Sequence, residues 1–160
     1  EMLRSLVGSE MCIRDSTYPV IDRSKRNLPA IYWQPAARWV ASLAKPVAPT
    51  AALDLVPTGK PGELKVVYQG APLPKAKVQL AAPSGWTREA EAGEDGTVTF
   101  VTRWKGQYVV EVKHSDKTPG EAHGAPYGEA SYVTTLSFVL AEGMPSPSLP
   151  PAATPAPAGR

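Results

Sequence analysis

From Leu64 to Leu140, apolar and polar residues alternate in short runs, the period expected of strands with one face buried. Leu64, Val66 and Tyr68 fall on one face, and Lys65 and Gln69 on the other. Ala76, Val78 and Leu80 alternate with Lys75, Lys77 and Gln79. Val98 and Phe100 point inward between Thr97, Thr99 and Val101, and Tyr108, Val110 and Val112 alternate with Gln107, Glu111 and Lys113. A long last strand carries Tyr132, Thr134, Leu136, Phe138 and Leu140 as its inward row. Leu53, Leu55 and Pro57 open a further strand-like stretch, and Trp86 to Ala92 suits another.

Turn chemistry separates these runs. The breaks are TGKPGE (58–63), GAPLP (70–74), Pro83-Ser-Gly85, Glu94-Asp95-Gly96 and Lys105-Gly106. At Gly96 a tight turn calls for a positive φ, which glycine adopts without steric cost. About seven short strands punctuated in this way predict an all-β, antiparallel, immunoglobulin-like β-sandwich. One sheet could not bury these faces alone, whereas two packed sheets can. The composition, with 18 prolines and 13 glycines, argues against a helix-rich fold.

The flanks differ. Residues 17–50 form a basic, aromatic-bearing segment and linker, expected to be part of a longer N-terminal region. In it Ile31-Tyr32-Trp33 suits a short strand ended by Pro35. Ala36 to Ala44 suits either two helical turns, with Trp39, Val40 and Leu43 on one side, or a strand edge. Lys45 to Thr50 reads as an extended linker, because each proline biases its predecessor away from helix. The sandwich is expected over residues 51–141. Residues 142–160, rich in Pro, Ala, Ser and Thr, predict a disordered tail.

Leu6 to Ser16, LVGSEMCIRDS, resembles the translation of a transposase-type sequencing-library adapter. Residues 1–16 are therefore expected to be foreign to the natural protein, and its true start, with any signal peptide, to lie upstream. Cys12, the one cysteine, is then not native, which removes disulfide, thiol and thiolate-ligand chemistry. A net charge of +2 and the lack of a basic stripe with interleaved aromatics argue against nucleic acid. No apolar run approaches the roughly 20 residues needed to span a bilayer.

The strings GAPLPKAKVQL, AGEDGTVTF and KGQYVVEVKH resemble the carboxypeptidase-regulatory-like and transthyretin-like sandwich superfamily. The continuation VEVKHSDKTPGEAHGAPYGEASYVTTLSFVL is similar to the C-terminal part of the family called domain of unknown function 4198. The likeness covers roughly Leu53 to Leu140, and more weakly LPAIYWQPAARWVASL. Members of that family are described as periplasmic components of cobalt or nickel uptake. The resemblance thus implies a periplasmic or secreted accessory module, a membrane uptake transporter as partner, and Ni2+ or Co2+ as ligand. Full members often carry a metal-competent histidine in a first mature segment, which is expected to lie upstream of this sequence.

Candidate ligands lie between His114 and Tyr127. His114 and Asp116 are two apart, so an extended chain puts them on one side. Glu121 and His123 add further nitrogen and oxygen donors, a set suited to Ni, Co, Zn or Cu(II). No tight motif such as H-E-x-x-H frames them. His114 also continues the inward parity of Tyr108, Val110 and Val112, as a hydrogen-bonded strand-end histidine would. His123, between Ala122 and Gly124, reads as an exposed loop residue. No G-x-S-x-G elbow, phosphate-cradling loop or paired-carboxylate signature points to an enzyme. Glu89, Glu91, Glu94 and Asp95 lack the calcium-loop pattern and read as a solvated edge. Trp33, Trp39, Trp86 and Trp104 either cap the core or line a sugar-stacking face, which makes a carbohydrate-binding or structural module of the cell surface the alternative function.

Overall fold

The computed structural model describes residues 11–15 and 18–149. The described chain is all-β, with no α-helix and one 3-10 turn at Ser24–Arg26. A larger sheet has the order β1-β2-β12-β9-β6-β7, formed by Met11–Asp15, Ile31–Val40, Glu129–Leu140, Gly106–Asp116, Lys77–Ala81 and Thr87–Glu91. Facing it, β4 (Glu63–Tyr68) pairs with β3 (Leu53–Pro57), β5 (Ala71–Pro72) and β8 (Thr97–Thr99). β10 (Gly120–Ala122) and β11 (Ala125–Tyr127) form a separate hairpin between β9 and β12. Among the described residues no helix is long and apolar enough to cross a membrane.

The inward rows read from the alternation are the core. Leu64 and Val66 from one sheet join Val78, Leu80, Val110, Val112, Leu136 and Phe138 from the other in a single buried cluster. Burying such a side chain is worth about 1.5–3 kcal/mol, so these rows are what holds two sheets face to face. Thr134 obeys the same parity although it is polar. Its Oγ1 donates to the Leu53 carbonyl at 2.7 Å, which joins β12 to β3 across the core. Gly96 takes φ +76°, as its turn requires, and a Cβ there would stand 2.7 Å from the Val66 carbonyl oxygen.

The N-terminal segment departs from expectation. β2 runs through Pro35 instead of stopping there, and it pairs in parallel with β12 from Ile31 to Val40. The β1 ladder begins only at Ala36, so among the described residues Pro35 has a strand neighbour on one side and needs no second ladder bond. Residues 36–40 are therefore strand and not helix. Trp39 and Val40 lie on opposite faces, Val40 buried and Trp39 exposed.

β2 is also fastened to the small sheet. Arg38 is 2% exposed, and its guanidinium grips Asp54 of β3 through Nε, at 3.1 Å to Oδ1, and through Nη2 to Oδ2. Asp54 also accepts from the backbone N–H groups of Thr50, Ala51 and Leu55. A buried charge pair persists only when its remaining donors and acceptors are met in this way.

Beyond β12 the chain is not free at once. The Met144 N–H donates to the Arg103 carbonyl and its own carbonyl accepts from Lys105 N–H, both at 3.0 Å. Met144 is thus tied to the body, and residues 150–160 of the expected disordered tail fall outside the described residues. So do most of residues 1–16, of which only the backbone of β1 is described.

Candidate functional site

β9 carries His114 and Asp116 to one end of the larger sheet. Paired residues share a face, so β2, β12 and β9 form two successive rows there: Gln34, Tyr132 and His114, then Tyr32, Ala130 and Asp116. Tyr68, the last residue of β4 in the facing sheet, closes over both. Its ring lies 4.5 Å from the His114 ring and 5.2 Å from that of Tyr132. Its hydroxyl donates to Asp116 Oδ2 at 2.7 Å and accepts from Gln69 Nε2 at 3.0 Å.

The electrostatics follow from these contacts. Hydrogen bonds from Thr118, then from Tyr68, with the nearby His114 adding a smaller attraction, hold Asp116 down to about 2. Asp116 is thus a carboxylate at any physiological pH. Desolvation, and then the hydrogen bond to that carboxylate, push the Tyr68 phenol well above its ordinary value. Tyr68 therefore stays a neutral donor.

His123 belongs to a neighbouring group. It and Gly124 are the two central residues of the β10–β11 hairpin, with φ +54° and +74°. Positive φ at both positions makes a tight turn of the kind that matches strand twist. The turn sets the imidazole against Tyr32, with Nε2 3.5 Å from the hydroxyl, and Tyr32 stacks on Tyr127 at 5.5 Å. Glu121 is exposed on β10 opposite Pro126.

Of the four sequence-derived candidates, His114 and Asp116 are therefore brought together around Tyr68. His123 stands beside Tyr32 in the adjacent row, and Glu121 contributes no contact to either group. Among the described residues, no three His, Cys, Asp or Glu side chains are grouped to hold a metal ion by themselves. Tyr68, Tyr32 and Tyr127 are site residues that alternation alone does not single out. Their available signal was a phenol at a strand end, where a buried hydroxyl needs a partner.

His114 is reached from outside along a shallow groove of about 560 Å3 that borders Lys75, Lys77, Glu111 and Lys113. Lys77 and Lys113 there face Glu89 and Glu111 at 3.9 and 2.8 Å. The acidic run on β7 and the following turn is distributed the same way. Glu94 meets Lys75, and Asp95 accepts from Thr97 through both its N–H and hydroxyl. These acids form no cage.

The tryptophans sit elsewhere. Trp33 packs on Tyr18 at 4.7 Å. Trp86 and Trp104 meet edge to face at 5.7 Å, at the opposite end of β9 from His114. Tyr108 anchors Trp104 there, its hydroxyl donating to the Trp104 carbonyl at 2.8 Å and accepting from the Trp104 N–H at 3.1 Å. No family model, curated protein or solved structure matches the chain.

Proposed function

We propose that this chain is a non-catalytic binding and accessory module, periplasmic or secreted, that takes Ni2+ or Co2+ as cargo and serves a membrane uptake transporter. In this reading the scaffold is an immunoglobulin-like sandwich of the transthyretin and carboxypeptidase-regulatory kind. The observation that carries the proposal is the joint placement of His114 and Asp116 around Tyr68 at a solvent-accessible sandwich end. An imidazole beside a permanently ionised carboxylate is a donor pair that divalent nickel and cobalt favour. Two protein ligands, with water completing the shell, bind weakly and release readily, as a carrier requires. His123, on its two-residue turn in the adjacent row, is the other of the chain's two imidazoles. The resemblance to a family described in nickel and cobalt uptake supports the same cargo.

The test is calorimetric titration of the full chain with Ni2+ and with Co2+. We expect one weak site whose affinity falls at least about tenfold in His114→Gln. A smaller loss is expected in His123→Asn, which preserves the left-handed turn because asparagine tolerates positive φ. No heat at millimolar metal, or heat unchanged in both variants, would refute the proposal.

A further inference from the structure

The end of the sandwich opposite His114 is exposed and apolar where most surfaces are polar. Trp86 is 64% exposed, Met144 52% and Leu149 67%. They form one patch: Trp86 rests on Trp104, Trp104 bridges to Met144, and Leu149 Cδ2 lies 3.5 Å from where a Cβ on Gly85 would be. Val101, 65% exposed, lies on the connection that leads into Trp104.

Cations surround this patch. Arg88, Arg103 and Lys105 are all exposed, and none of them joins an ion pair among the described residues. Across segments 82–86, 101–105 and 141–149, Glu142 is the one carboxylate. Elsewhere Lys60, Lys75, Lys77 and Lys113 each face a glutamate. Lys25, Arg26 and Lys117, which also join no ion pair among the described residues, have no such tryptophan pair beside them.

We infer that this end docks on an anionic membrane surface. Tryptophan is the side chain best suited to the bilayer interface, where its ring sits at headgroup level. Exposed aliphatic groups beside it gain by entering the acyl boundary, and unpaired arginines and lysines gain from the negative surface potential. The exposed neutral side chains Val101, Met144 and Leu149 are apolar, and the hydrogen-bonding groups around them, Arg88, Arg103 and Lys105, are all cationic, a combination that suits an anionic surface better than a neutral sugar. Docking by this end would leave the His114 end in water. His114 is eight strand residues from Gly106, roughly 26 Å at the usual rise.

The experiment is co-sedimentation of the full chain with vesicles of phosphatidylcholine, with and without phosphatidylglycerol, alongside tryptophan emission. We expect binding to the anionic vesicles only, a blue-shifted emission, and loss of binding in high salt. Trp86→Ala should remove most of the shift. Arg103→Glu with Lys105→Glu should weaken binding by at least about tenfold, since each cation near such a surface is worth about a factor of five. Both variants alter exposed side chains, and circular dichroism checks that each stays folded. The inference is overturned if anionic vesicles do not bind, or bind equally well to both variants. It is equally overturned if the patch proves to retain a glycan, or to bury itself in a dimer of the chain, with no affinity for vesicles.

Discussion

Asp116 and Tyr68 illustrate how a strand-end residue acquires chemistry from its neighbours. The carboxylate is stabilised in the folded chain by Thr118 and Tyr68, so its folded value, about 2, lies below the unfolded one. Its contribution to stability is complete above the unfolded value near pH 4 and fades as pH falls toward 2. Tyr68 behaves in the opposite sense. Its value is raised, so the stability it contributes is present below about pH 10 and is lost at higher pH. Tyr68→Phe should therefore raise the Asp116 titration midpoint toward the ordinary carboxylate range, as followed by carboxyl-carbon NMR. A midpoint still near 2 would show that Thr118 alone suffices. At this scale the sequence was informative about His114 and Asp116, because spacing of two in a strand forces a shared face. It was silent about Tyr68, whose approach to them depends on how the second sheet is laid over the first.

Elements show the same division between local and non-local information. Strands β4, β6, β8, β9 and β12 were legible because alternation is a property of each segment alone. The fate of Ala36 to Ala44 was not, since a run such as AARWVASLA suits a helix or a strand until its neighbour is known. Its parallel pairing with β12 decides the matter, and the decision carries Arg38 into the core beside Asp54. No local pattern marks an arginine for burial. Removing one member of this pair leaves a buried charge without its counter-ion, so Arg38→Met or Asp54→Leu alone should cost about 3–5 kcal/mol in urea unfolding. The double replacement should cost clearly less than the sum of the two. Additive losses would mean that each side chain acts separately and that the pair does not fasten β2 to β3.

For the molecule as a whole, the sandwich separates two unlike ends. One gathers His114, Asp116, His123 and four tyrosines, and the other gathers Trp86, Trp104 and unpaired cations. Strands β9 and β12, which run the length of the larger sheet, set the distance between them. The histidines and tryptophans were legible in the sequence, but their segregation was not. That depends on which loops share an end of the sheet, and hence on topology. Binding of a divalent cation at the His114 end is what the proposed function requires. Its most direct test is a Co2+ titration of the full, isotopically labelled chain followed by amide NMR, because paramagnetic broadening falls off steeply with distance from the metal. Signals of residues around His114, Asp116, Tyr68 and Tyr132 are expected to broaden first, while those near Trp86 and Trp104 persist. Broadening centred at the tryptophan end, or none at any cobalt concentration the protein tolerates, would rule out binding at the His114 end.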